Sequence, residues 1–416
     1  WTDAEAKSQN SGKLASNSLP SEAGSYYLTG PVTLDAEWAP AKGTVLCLNG
    51  QTVTSTEAET TFKVSSGVTF VLTDCQSTGA LVCSGDISAQ RQGVKVDGGS
   101  FTMYNGTVDG FSEGVLAWGS AATFTMHGGS IVNSRDYGVR SIGGTFNMYG
   151  GSISGNSAIY GGGVYVNGTF NMSGGSITEN TVSDTKGIYY GGGVYVSESA
   201  TFTVSGTVNI TGNTAENGNA NNVFLPFVDQ SLKSFTIGKN GLASDSIIGV
   251  ATNAAPNPGY YLTIATLSEG AAYIEGTIIS DRTGGYAIKA KGNNINLYNG
   301  LPHEHYRCNG KDAATGGDKC TGIGGHTEEG VLSFKQWTNT TKLPTMSGEY
   351  YLTEDVTLDS AWSIKGTGGK QVRFVLCLNG HSIRLKDGVN DYVINVGAGG
   401  TLALCDCDGS KGTITG

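Results

Sequence analysis

Apolar and polar positions alternate through the middle of this chain. Phe101-Thr102-Met103, Phe124-Thr125-Met126, Phe146-Asn147-Met148 and Phe170-Asn171-Met172 recur at near-even intervals, and Phe202-Thr203-Val204 follows after a longer step. A spacing of two is the strand period, with Phe and Met on one face and Thr or Asn on the other. A glycine pair then offers a bend where positive φ is cheap, as in Gly128-Gly129 and Gly150-Gly151. Ser130-Ile131, Ser152-Ile153 and Ser176-Ile177 resume a second short strand, and a polar corner follows, such as Ser154-Gly155-Asn156 or Thr178-Glu179-Asn180. A third side reads Gly161-Gly162-Gly163-Val164-Tyr165-Val166 and Gly191-Gly192-Gly193-Val194-Tyr195-Val196, again alternating.

Three short strands and three turns, repeated at a near-constant period of about 23 residues, predict a coil. The expected fold is all-β, a right-handed parallel β-helix (solenoid) in which Phe stacks on Phe, Met on Met and Ile on Ile about 4.8 Å apart. Core is the plain reading of this Phe and Met pattern. A helix is excluded, because glycine pairs recur every turn and the apolar spacing is two. The regular coils are expected over 98–215, and 216–300 reads as less regular terminal coils with a small β cap. The longer step before Phe202 comes from Asp184-Thr185-Lys186-Gly187-Ile188-Tyr189-Tyr190. This segment reads as a loop pushed out of one turn, where solenoids often bind. Tyr189 and Tyr190 are the candidate sugar or protein contacts there, beside the alternative that the loop lies on its own surface.

A second repeat runs at longer range. Leu19-Pro20, Tyr26-Tyr27-Leu28-Thr29, Val32-Thr33-Leu34-Asp35, Trp38 and Val45-Leu46-Cys47-Leu48-Asn49-Gly50 recur as Leu343-Pro344, Tyr350-Tyr351-Leu352-Thr353, Val356-Thr357-Leu358-Asp359, Trp362 and Val375-Leu376-Cys377-Leu378-Asn379-Gly380. Leu72-Thr73-Asp74-Cys75 matches Leu404-Cys405-Asp406-Cys407 in the same way. The expected organisation is a β-helix module over 1–300, a Cys/His-rich linker over 301–336 and the N-terminal part of a second module over 337–416. The last coil is expected to carry an open core face, capped by another chain or a continuation, or else poorly ordered.

Composition agrees with strands and tight turns. Of 416 residues 65 are Gly, only 14% are charged and 8 are Pro, whereas disordered chains are charged and Pro-rich. The net charge is −10 and no basic run occurs, which argues against nucleic acid or an anionic membrane as partner. No apolar stretch is long enough for a membrane-spanning helix.

The densest polar cluster is His303, His305, Cys308, Cys320 and His326. Zinc takes four N or S ligands, and a Gly-rich loop without a core gains folding energy from it. A structural zinc on four of these five is one reading, and a Cys308–Cys320 disulfide or no bond at all are the others. Cys47 with Cys75, and Cys377 with Cys407, follow apolar strands in neighbouring coils, where each pair reads as buried free thiols or a cross-coil disulfide. Asp109 and Asp136 fall at roughly equivalent corners of successive coils, a geometry compatible with a glycosidase carboxylate pair. Polar corners are expected on any solenoid, so they are low-ranking catalytic candidates. No Ser-His-Asp set, phosphate loop or helical zinc motif occurs.

The signature Gly-Gly-Gly-Val-Tyr-Val…Thr-Phe-x-Met-x-Gly-Gly-Ser-Ile-x-x-Asn resembles secreted bacterial right-handed β-helix repeat proteins. It is similar to the repeats of polymorphic outer-membrane autotransporter adhesins, and more so to adhesin-like surface proteins of gut Firmicutes, which share Val-Leu-Cys-Leu-Asn-Gly openings. The resemblance spans roughly 22–225 and 350–416. It implies an extracellular or cell-surface setting; the long tandem repeat favours a non-enzymatic module there, an adhesin or spacer touching glycans or other surface proteins. Two alternatives stand beside it: a carbohydrate-active β-helix enzyme, and a filament subunit joined head to tail through 337–416.

Overall fold

The computed structural model describes residues 13–15, 18–84, 90–183, 190–228, 231–256, 261–282, 286–299, 303–308, 314–316, 328–366, 370–406 and 412–416, with the backbone alone for 13–15, 303–308, 314–316 and 328–333. Every regular element among these residues is a strand, and the long-range pairings are predominantly parallel. Among the described residues the fold is all-β, with parallel, solenoid-like stacking of strands. The chain divides into two compact units, Trp1–Ala255 with Leu262–Gly284 and Ile288–Leu297, and Pro256–Tyr261 with Gly285–Ala287 and Tyr298–Gly416. The segment 301–336 thus falls within the second unit.

In the first unit the register follows the repeat. Phe101 is level with Phe124, Phe124 with Phe146, Phe146 with Phe170 and Phe170 with Phe202, and Met103, Met126, Met148 and Met172 stack in parallel. The ladder is longer than the Phe-x-Met spacing indicates. Phe70 precedes it, level with Phe101, and Phe235 follows Phe202 one coil on. Ring centroids are 4.7–5.1 Å apart within 11° of parallel from Phe101 to Phe202, and the stack ends at Phe202–Phe235 with a 44° tilt. All seven rings are buried. Each contributes about 2–3 kcal/mol from area removed from water and about 1 kcal/mol more from ring contact.

The second side stacks Val108, Ile131, Ile153, Ile177 and Ile210. The bend before it needs glycine. Gly151 has φ 86°, and a Cβ there would lie 2.7 Å from the carbonyl oxygen of Gly129 in the coil below.

The corner after the second side is not the solvated turn its polar residues suggest. Asn156, Asn180 and Asn213 are at most 1% exposed. The amide N–H and Nδ2–H of Asn156 both donate to Oδ1 of Asn180, at 3.0 and 2.9 Å, and Asn180 does the same to Asn213, and Asn213 to Asn222. Each of the first three Nδ2 groups also donates to a carbonyl in the preceding coil, of Ile131, Ile153 and Ile177. A buried amide is tolerated when all its groups are bonded, and here neighbouring coils satisfy one another. Asp281 terminates the series, accepting the N–H and Nδ2–H of Asn222 at 2.6 and 2.8 Å.

The second unit opens as the first does. Gly348–Leu352, Val372–Cys377 and Gly400–Cys405 stack in parallel over a core of Leu352, Leu358, Ile364, Phe374, Leu376 and Ile383. On its outermost coil Val396, Leu404 and Ile414 are 47%, 46% and 37% exposed.

Candidate functional site

The third side of the first unit carries the most chemically varied surface. Its strands are Thr60–Ser65, Gln92–Asp97, Glu113–Trp118, the first part of Tyr137–Met148, the first part of Val164–Met172, Val194–Val196 and Val223–Leu225. Phe62, Val94, Val115, Val139, Val164, Val194 and Val223 point inward and are fully buried. The next residue of each strand points outward, so one column runs Lys63, Lys95, Leu116, Arg140, Tyr165, Tyr195, Phe224. Glycine just before the inward valine lets the coils approach: a Cβ on Gly163 would lie 2.6 Å from the carbonyl oxygen of Gly193.

The column is cationic at one end and aromatic at the other. Arg140 lies 4.9 Å above the Tyr137 ring and 5.8 Å from that of Tyr165, and donates to Oε1 of Glu113 at 2.7 Å. Gln92 donates to the other oxygen of Glu113 at 2.9 Å, and Thr60 donates to Gln92 at 3.0 Å. Both oxygens of Glu113 therefore carry a donor. Lys63 faces Glu37 at 3.7 Å, while Lys95 has no ion-pair partner among the described residues. Leu116, between Lys95 and Arg140, is 3% exposed.

At the aromatic end Tyr165 and Tyr195 stack at 5.5 Å, and Tyr195 contacts Tyr160 at 5.6 Å and Tyr190 at 5.9 Å. Tyr160 and Tyr190 stack at 5.1 Å, and Tyr190 meets Phe224 edge-on at 5.0 Å. Burial, with neighbouring phenols adding, pushes Tyr195 up to about 12, and burial also raises Tyr137. These hydroxyls stay neutral at physiological pH, able both to donate and to accept. A smaller stack lies one residue past the Phe-x-Met strands: His127 sits 4.7 Å from Tyr104 and 5.0 Å from Tyr149. Burial lowers the His127 pKa, which favours the neutral ring.

Of the residues expected from sequence, Tyr190 joins this side, bridged to Tyr160 of the preceding coil rather than projecting from it. Tyr189 lies outside the described residues. Asp109 is level with Val132 and accepts from Asn133 Nδ2 at 2.8 Å, whereas the Asp136 amide bonds the Ser112 carbonyl. The two carboxylates are not on equivalent rungs. His303, His305 and Cys308 lie in a strand paired antiparallel with Ala314–Gly316 and Glu328–Trp337. Their side chains, with Cys320 and His326, lie outside the described set. Among the described residues no group of three or more His, Cys, Asp or Glu could hold a metal.

Lys95, Arg140, Tyr160, Tyr165 and Tyr195 are not among the contacts expected from sequence. A signal for them exists in the frame Gly-Val-x: Gly93-Val94-Lys95, Gly114-Val115-Leu116, Gly138-Val139-Arg140, Gly163-Val164-Tyr165 and Gly193-Val194-Tyr195. Lined up, its third position gives Lys95, Leu116, Arg140, Tyr165 and Tyr195 of the column, while Lys63, Phe224 and Tyr160 fall outside the frame. Comparison with protein-family models, with curated proteins and with solved structures returns no match.

Proposed function

We propose that this chain is a non-enzymatic, extracellular or cell-surface β-solenoid module, an adhesin or spacer that holds glycan along its third side. The coils are taken to wind right-handed, the sense of nearly all parallel crossover connections. The observation that carries the reading is the column from Lys63 through Arg140 to Tyr195. Aromatic rings give sugars apolar surface, while neutral phenols, Arg140 and Lys95 offer polar contacts. Glu113, the carboxylate that Arg140 of the column contacts, is already engaged by Arg140 and Gln92, which favours binding over acid–base work. A glycan array, with a hydrolysis assay on the hits, tests this on the wild type and on Tyr165→Ala/Tyr195→Ala. The expected result is a defined set of glycans, bound at least about tenfold more weakly by the double variant, with no product released. A blank array, or hits unaffected by the double variant, would sink the reading. Released product would favour the carbohydrate-active alternative.

A second reading, head-to-tail self-association through the 337–416 end, is favoured by the exposure of Val396, Leu404 and Ile414. Unpaired strand edges template further pairing. Light scattering over a concentration series should then show growing species that Leu404→Lys abolishes; a monomer at all concentrations would rule it out.

A further inference from the structure

Cys47 and Cys75 lie on adjacent coils of the first unit. Cys47 ends the strand Thr44–Cys47 level with Thr73, and Cys75 follows two residues later. The Cys75 amide N–H donates to Cys47 Sγ at 3.3 Å. The N–Cα bond adds about 1.5 Å, so Sγ of Cys47 is within about 5 Å of Cys75 Cα, inside the reach of a disulfide arm. Both thiols are free, Cys47 7% exposed and Cys75 half-buried. Burial first, then a side-chain hydrogen bond with Cys75, pushes the Cys47 thiol up to about 12. The pair is therefore in direct contact, with the more accessible sulfur on Cys75.

We propose that Cys47 and Cys75 form a disulfide site that staples two neighbouring coils near the start of the first unit, closed by exchange with an external disulfide such as oxidised glutathione. Cys75, as thiolate, attacks one sulfur of that disulfide, whose S–S bond breaks and releases one thiol. Cys47 gives up its proton and attacks Cys75 Sγ in the mixed disulfide, expelling the second thiol. The two cysteines lose two electrons and two protons, and the external disulfide becomes two thiols. The bond closes a loop spanning 28 residues of sequence, a constraint on the unfolded chain. In the second unit Cys407, the counterpart of Cys75, lies outside the described residues; Cys377 is level with Cys405, whose thiol donates to the Leu376 carbonyl at 3.7 Å.

The test uses the full chain, purified reduced, equilibrated with oxidised and reduced glutathione, trapped with acid and alkylated before peptide mass mapping. The expected product joins the Cys47 and Cys75 peptides and is two hydrogens lighter than the reduced pair. It persists in Cys83→Ser and is absent from Cys75→Ser. Oxidation should raise the first unit's melting temperature by a few degrees in the wild type, reversibly with reductant, and not in Cys75→Ser. Recovery of both cysteines alkylated after oxidation, or either one joined only to glutathione or to another cysteine, overturns the proposal.

Discussion

In the first unit Trp38 donates its indole N–H to the Pro20 carbonyl, Tyr26 its hydroxyl to Glu22, and Asn49 its Nδ2 to Leu28, each at 3.0 Å. In the second, Trp362 donates to Pro344 at 2.9 Å, Tyr350 to Met346 at 3.0 Å and Asn379 to Leu352 at 3.0 Å. Asn49 and Asn379 share φ 51°. Asp74 accepts the amides of Gly50 and Gly79, and Asp406 those of Gly380 and Gly412. The turn chemistry is thus copied, but the cover is not. Leu72 is fully buried beneath Met103 of the next coil, while its counterpart Leu404 is 46% exposed. On the outer face the order reverses. Tyr27 and Val45 are half-buried, whereas Tyr351 and Val375 are at most 5% exposed, packed with Phe334 and Cys377. Local hydrogen bonds specify a coil's path, and neighbouring segments decide which of its faces becomes core.

The largest expected effect separates the two copies. Leu72→Ala should cost the first unit about 3 kcal/mol, as for a buried leucine in a close-packed core. Leu404→Ala should cost the second unit only about 1 kcal/mol, since about half of its surface stays in water. Denaturant titration of both variants reads the difference, and equal losses would mean that Leu404 is covered in solution. The next effect should be the same in both copies. Asp74→Ala and Asp406→Ala each orphan two glycine amides, at about 2–3 kcal/mol; a marked inequality would show that the shared turn does not carry shared energetics. The smallest concerns Asp281, whose asparagine series has no counterpart among the described residues of the second unit. Burial holds its carboxyl above the usual 3.8, against two N–H groups of Asn222 that pull it down. The native chain binds this proton more tightly than the unfolded one. Stability should therefore fall as pH rises from about the unfolded value through the raised native one, and level off above it. Asp281→Asn can accept both N–H groups on one oxygen, as Asn180 does. It should flatten that slope and hold or raise stability at pH 7 by under about 1 kcal/mol. A variant less stable than wild type at pH 7 would mean that the series prefers a charged end.

Much of the fold was legible because the strand period is local. Phe-x-Met alternation, glycine bends and Ser-Ile restarts each span a few residues, and their repetition requires a coil. The duplication of 19–75 in 343–407 was equally plain. The ladder's true ends were not, because Phe70 and Phe235 stand further along the chain from their neighbours than the regular repeat and lack the Met partner. Asn156 and Asn180 read only as polar corners, and their alternation gives no sign that they and Asn213 are buried. Their burial depends on acceptors supplied by the next coil, 24 and 33 residues away. The candidate site was less legible. Lys95, Arg140 and Tyr165 share the local frame Gly-Val-x but lie far apart along the chain, and coil steps of unequal length blur any fixed spacing between them.

The sequence by itself determined the strands, their inward faces, the coil and the tandem arrangement, since these follow from alternation and turn chemistry within each coil. The tertiary structure decided which outward residues meet and which polar corners go inside. Those outcomes depend on hydrogen-bond register between coils, which loops of unequal length leave unchanged in space while shifting it along the chain.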